Sequence, residues 1–264
     1  MRILFVADVF GAPGRRAVET RLPALREELG ADFCIVNGEN AAAGRGITAK
    51  LADRLLAAGA DVVTLGNWVW GQPGFAPYLA GTDRVIRPAN MSPQTPGTGL
   101  VVHNGVAVIN LLGVFSLDPF ESPFIAAGRL VEEARASTRV VVVDFHAEAT
   151  SEKVALARYL DGRVTAVLGT HTHVQTNDAR VLAGGTAAIT DAGMTGPHDS
   201  VIGSEEHGAI KRFVTGMPTR LEPATGDVRI EGVVVDCDAA GKATACTALR
   251  VEVPEKVSDT FEGV

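Results

Sequence analysis

Cysteine is scarce here: Cys34, Cys237 and Cys246 are the only three in 264 residues, and no two share a Cys-x-x-Cys spacing. An odd, scattered set gives no disulfide framework, thiolate zinc site or dithiol redox pair, so all three are read as packing residues. Long apolar runs are also missing. None approaches the roughly 20 residues needed to cross a bilayer, and MRILFVAD carries an acid where a signal peptide stays apolar. No membrane partner is expected, and the protein is placed in the cytoplasm. An excess of basic charge is absent too: 24 Lys and Arg stand against 31 Asp and Glu, a net charge of −7. That balance excludes a broad basic face tracking an extended nucleic acid, while leaving room for a small phosphorylated substrate beside bound metal ions. Low-complexity sequence and convincing repeats are lacking. With 21% charged and 46% hydrophobic residues, the chain reads as an ordered globular protein with a substantial core. Its length fits one domain over residues 1–264, with a polar, loosely held tail after residue 253.

The N-terminal two-thirds alternates short β-branched runs with helix-compatible segments, the pattern of βαβ crossovers. A Gly-Ala-Pro-Gly turn at 11–14 precedes an expected helix from about Arg15 to Leu29. A second is expected from Ile47 to Ala58, with Thr48 as N-cap and Gly59 as stop, and others over Glu121–Ser137 and Ser151–Leu160. Five prolines between Gly71 and Gly99 predict a long irregular excursion rather than a regular crossover, suited to a pocket wall. VAVINLLG reads as a buried strand without a terminal ligand. TAAITD, RIEGVVVD and TALRVEV predict an antiparallel continuation that completes the sheets.

What is present in quantity is polarity at strand ends. RILFVAD ends at Asp8, FCIVNGEN at Glu39 and Asn40, VVTLGN at Asn67, VVVVDFH at His146, and AVLGTHTH at His171 and His173. In an open α/β sheet, ligands bind beyond the carboxyl ends of the strands, so these residues should converge. The His-x-His pair, on an extended segment, should project to one side. Two carboxylates, two carboxamides and three imidazoles suit a pair of transition-metal ions, manganese, iron, zinc or cobalt, and such a pair makes water nucleophilic near neutral pH while stabilising charge on a phosphoryl group. Singly, Asp8 and Asn67 read equally well as turn caps; Glu39-Asn40 also allows a reading as loop polarity, though a carboxylate directly after an apolar strand points more to a ligand; His146 alone reads more readily as a core histidine. Jointly those readings require several independent coincidences at one sheet edge.

The blocks DVFGAPGR, NGENAA, TLGN, DFHAEATSEK, GTHTHVQT and TDAGMTGPHDSVIG, in order over residues 1 to about 215, resemble the calcineurin-like metallophosphoesterases, and specifically their YmdB-like branch. The resemblance implies an α/β fold with a layered β-sheet core flanked by helices. It also implies a metal-dependent phosphodiesterase acting on small cyclic nucleotides, self-association into a homo-oligomer, and two divalent or trivalent ions, iron or manganese. It assigns Asp8, Glu39, Asn40 and His173 to one metal and Glu39, Asn67, His146 and His171 to the other, with Glu39 as bridge. One position departs: where similar sequences place a catalytic histidine directly after the Gly-Asn pair, this chain has Trp68. An indole N–H donates a hydrogen bond but delivers no proton near neutral pH. This supports a second reading, a metal-binding nucleotide sensor or regulatory protein with weak or no catalysis.

Other features carry less. Trp68 either stacks on a nucleobase or packs its loop, and Trp70 is read as loop packing. His198 and His207 are read as loop or capping residues. His103, before Asn104-Gly105, belongs to a hairpin turn. DVFGAPGRR lacks the Gly-Lys-Ser/Thr ending of a P-loop, which puts a nucleotide-binding Rossmann reading well behind.

Overall fold

Side-chain alternation along the strands decides the layering. In the computed structural model, which describes residues 1–254, Leu4 and Val6 of β1 (Arg2–Val6) pack toward helices, while Ile3 and Phe5 pack toward a second sheet. Cys34 and Val36 of β2 (Phe33–Asn37) separate from Phe33 and Ile35 in the same way. Period-2 alternation with both faces apolar is what a strand buried between two layers requires.

The first sheet runs parallel from β1 through β2 and β3 (Val62–Thr64) to β4 (Val85–Ile86). The second is parallel through β6 (Val106–Leu112), β7 (Val140–His146), β8 (Ala166–Thr170) and β10 (Ala187–Ile189), with β5 (Leu100–His103) and β9 (Arg180–Val181) antiparallel at its edges. Helices α1 (Gly11–Leu29), α2 (Ala49–Ala57) and α3 (Phe75–Gly81) belong to the first half, α4 (Pro123–Arg135) and α5 (Thr150–Tyr159) to the second. The chain then returns to the first sheet with β11 (Gly196–Asp199), crosses α6 (Glu206–Thr215), and closes with the long hairpin of β12 (Gly226–Cys237) and β13 (Ala243–Glu252). β12 lies antiparallel to β1, with Phe5 opposite Val233. The result is the layered α/β sandwich with flanking helices that the sequence predicts. No described helix is long and apolar enough to cross a membrane. The tail expected to be loose lies, from residue 255 on, outside the described residues.

Three expectations are corrected. Helix α1 begins at Gly11 rather than near Arg15, because Pro13 falls in the first turn, where its missing N–H breaks no intrahelical bond. The stretch from Gly71 to Gly99 is not wholly irregular: it holds α3 and β4, a regular crossover onto β3, and only the segment after β4 lacks regular structure before β5. TAAITD does not continue antiparallel, since β10 pairs parallel with β8, Ala187 opposite Ala166. Elsewhere local chemistry acts as expected. Thr48 caps α2 by accepting from the Leu51 N–H, and Asn104 and Gly105 take φ of 46° and 80° between β5 and β6.

Candidate metal centre

All seven proposed ligand side chains lie in one polar cluster where parallel strands of both sheets end. Asp8, Glu39 and Asn67 follow β1, β2 and β3 by two or three residues, His146 is the last residue of β7, and His171 is the first after β8. Asp8 Oδ2 accepts the His171 main-chain N–H at 3.0 Å, tying the first sheet to the second. The His171-Thr172-His173 segment is not extended as expected. His171 and His173 have φ of 104° and 64°, so the two rings reach the site from a bend. Such a backbone costs energy and persists only where its surroundings fix it. Asp191 does so here, accepting from Thr172 N (3.0 Å) and Thr172 Oγ1 (2.8 Å) while paired with the buried Lys153 ammonium at 2.7 Å.

Hydrogen bonding sets the tautomer of each imidazole from behind. Thr170 Oγ1 donates to Asp144 Oδ1 (2.7 Å) and so accepts from His146 Nδ1 (3.0 Å), which leaves His146 Nε2 a bare lone pair. Glu148 Oε2 accepts from His171 Nε2 (3.1 Å), freeing His171 Nδ1; the Ile202 carbonyl accepts from His173 Nδ1 (2.9 Å), freeing His173 Nε2. This arrangement of an outer acceptor and an inward lone pair is how metal-ligating histidines are oriented.

The inward atoms face one another. His146 Nε2 lies 3.0 Å from His171 Nδ1, 3.1 Å from Asn67 Oδ1 and 3.5 Å from Glu39 Oε2. His173 Nε2 lies 3.2 Å from Asn40 Oδ1, and the Asn40 amide is fixed in that sense because its NH2 donates to the Gly44 carbonyl (3.0 Å). Lone pairs opposed in this way repel unless a cation stands between them. Donor atoms about 2.0–2.2 Å from a shared ion at tetrahedral angles are themselves roughly 3.5 Å apart. Asp8 Oδ1 and Glu39 Oε2 are buried with no hydrogen-bond partner. Burial first, then the charges of Asp191 and Asp144, pushes the Asp8 carboxyl well above its ordinary value. Burial does the same to Glu39 and lowers His146 and His173, so the protein alone disfavours the ionised form of each. These features fit metal ions. Among the described residues no three His, Cys, Asp or Glu side chains form a metal-holding group by themselves, and carboxamide oxygens are part of this cluster.

Two supports are invisible in a motif search. Asp144 Oδ2 accepts from Asn37 Nδ2 (2.9 Å) and from Thr64 Oγ1, and its Oδ1 from Thr170, so one buried carboxylate joins β2, β3 and β8. Burial raises it to about 6 against those three hydrogen bonds. Its signal was a lone acid two residues before His146 in an apolar strand. Gly66 is the other: a Cβ there would overlap Glu39 Oε2 and the His146 ring, so only glycine lets these side chains meet.

Trp68 donates its main-chain N–H to Glu39 Oε1 at 2.6 Å. Its half-buried indole carries the Arg45 guanidinium 4.1 Å from the ring centroid, a cation–π contact worth about 0.5–1 kcal/mol at an exposed site. Among the less specific histidines, His198 Nε2 bonds the Met194 carbonyl (3.2 Å) and His207 is exposed on α6. A cleft of about 520 Å3 opens beside Asn67, lined also by Trp70, Met91 and Phe120.

Comparison with known proteins agrees over nearly the whole chain. A 2',3'-cyclic-nucleotide 2'-phosphodiesterase of Bacillus subtilis is 48% identical over 242 residues, 90% of this chain and 92% of that protein. The crystal structure of a hypothetical protein from Thermus thermophilus superposes with a TM-score of 0.90 at 42% identity, covering 96% of this chain and all of the other. A structure described as a novel phosphatase of Mycoplasma pneumoniae gives 0.88 at 33% identity, covering 96% and 93%. The YmdB-like protein family model matches residues 4–249, and the chain belongs to that family.

Proposed function

We propose that this protein is a metal-dependent phosphodiesterase that hydrolyses small cyclic nucleotides, with two transition-metal ions, iron or manganese, held by Asp8, Glu39, Asn40, Asn67, His146, His171 and His173. The observation that carries the reading is the set of three imidazoles, each fixed through its outer nitrogen: His146 and His173 turn a lone pair onto carboxylate or carboxamide oxygens, and His171 turns its own onto His146 Nε2. The substrate class rests on the name of the B. subtilis relative. When bound, the ions supply Lewis-acid charge for the phosphoryl oxygens and make water nucleophilic near neutral pH.

The chain's own residues do the rest. Thr170 (itself held by Asp144), Glu148 and the Ile202 carbonyl hold the imidazoles by their outer nitrogens and aim them inward, while burial disfavours their charged form. Asp191 and Lys153 fix the bend that carries two of them. Water adds across one P–O ester bond, giving a phosphomonoester and a hydroxyl. The oxygen that leaves needs a proton, and the Trp68 indole supplies none. That favours substrates with acidic leaving groups. It also motivates the second reading, a nucleotide sensor that keeps its metals and turns over slowly.

Metal analysis with a diester panel tests both. We expect two ions per chain and turnover of 2′,3′-cyclic nucleotides above the metal-only rate. Saturation at one ion would end the dinuclear assignment, and nucleotide binding with only background hydrolysis would select the sensor.

A further inference from the structure

The cleft shares only Asn67 with the ligand cluster, and its other walls take no part in the chemistry above. Its walls are the segments around 88–96 and 112–121, and two buried side chains hold them through main-chain groups. Asn90 donates to the carbonyls of Leu112 (2.7 Å) and Glu121 (3.0 Å) and accepts from Leu112 N–H (2.9 Å), and its own carbonyl takes the N–H groups of Phe120 and Glu121. The Arg87 guanidinium donates to the carbonyls of Pro88, Pro96 and Thr95 at 2.8, 2.9 and 3.1 Å. Walls fixed in this way make the cleft preformed, so binding costs little ordering.

Its lining is that of a flat, aromatic ligand. Trp70 is 40% and Phe120 72% exposed at its mouth, and Met91, Leu112 and Leu117 add apolar surface. Among the described residues no cation lines it, so the cleft does not attract the phosphate itself. Among those same residues Asp118 is the only ionisable one in the lining, and its carboxylate has no ion pair or side-chain hydrogen bond. The volume, about 520 Å3, falls within the range of small-molecule sites.

We infer that this cleft is the nucleobase subsite, in which the base lies against Trp70 and Phe120 and the Asp118 carboxylate reads its hydrogen-bonding edge in favour of guanine. The inference rests on the proposed function for its phosphate end. An ionised carboxylate only accepts, through two oxygens side by side. Guanine matches it with adjacent N1–H and N2–H donors. Adenine and cytosine each offer one amino group beside a bare ring nitrogen. Uracil offers one N–H between two carbonyl oxygens that repel the carboxylate. Stacking on the aromatic rings then favours the larger purines.

The test is kcat/KM for the four 2′,3′-cyclic nucleotides with wild type, Asp118→Asn and Trp70→Ala. Wild type is expected to prefer the guanosine over the uridine substrate by about 10- to 100-fold, the scale of a charge-assisted hydrogen bond. Asp118→Asn should bring that ratio to within a few-fold, by loss on the guanosine side. Trp70→Ala should lower both purine substrates by about tenfold. A guanosine-to-uridine ratio that Asp118→Asn leaves unchanged overturns the inference. Calorimetric titration with guanosine and uridine 3′-monophosphates separates it from the hydrolytic reading. If no diester is turned over but guanosine monophosphate binds more tightly in wild type and not in Asp118→Asn, the subsite stands and hydrolysis falls. Equal binding of both by wild type overturns the subsite.

Discussion

The two sheets bring different chemistry to the shared edge. Every proposed ligand from the first sheet is an oxygen donor, Asp8, Glu39, Asn40 and Asn67, and every one from the second is an imidazole, His146, His171 and His173. They differ in support as well. Each imidazole is anchored through its far nitrogen, whereas Asp8 and Glu39 are each anchored through one oxygen and leave the other buried and unpartnered. The second sheet fixes direction, and the first supplies carboxylates whose ionised form a bound cation would offset. A division of this kind can be probed from either side.

The largest expected change comes from placing an imidazole on the oxygen side. Trp68→His should raise phosphodiester turnover by about 10²–10⁴-fold, the usual worth of a positioned acid or base, with metal content kept. The gain should be larger on a cyclic nucleotide than on an activated aryl diester, whose leaving oxygen needs little protonation. Unchanged or lower rates on both would show that position 68 is not a vacant acid site. Removing the charge that would serve both ions comes next. Glu39→Ala should weaken metal binding by about 100-fold or more, since even residues behind the ligands are worth 10- to 100-fold, while His198→Ala should leave metal titrations as in wild type. Equal losses would contradict the bridging role.

Between the sheets, Asp144→Ala strips the acceptor from Asn37, Thr64 and Thr170 together. Urea unfolding should show about 2–3 kcal/mol lost, and a loss below 1 kcal/mol would mean these donors find other partners. The smallest effect is expected on the second sheet's outer rim. Glu148 is half exposed, so Glu148→Gln should cut metal affinity only about tenfold by loosening His171. A loss as great as that of Glu39→Ala would erase the distinction between direction and charge.

How much of this was legible beforehand follows from distance along the chain. The Asn104-Gly105 turn and the Thr48 cap depend on neighbours, and the structure has both. The residues gathered at the edge were readable because each ends an apolar run, and a parallel sheet puts those ends together. The bend at His171 and His173 was not readable, because Asp191 imposes it from beyond the next two strands and local alternation argued for an extended segment. The same holds for Asp144, which meets Asn37 across 107 residues, and for TAAITD, whose direction depends on which strand it meets. Gly66 showed as one more glycine until Glu39 and His146 stood on either side of it.

The position of the cluster across the two layers, with Asp8 gripping the backbone of His171, has a thermodynamic consequence. A cation bound there is a guest of the assembled sandwich and of neither half, so by mass action its occupancy adds to folding free energy, about 2.7 kcal/mol at a hundredfold excess over Kd. On the proposed function, melting temperature would gauge metal loading, and a chelator would lower it by emptying the seam between the sheets.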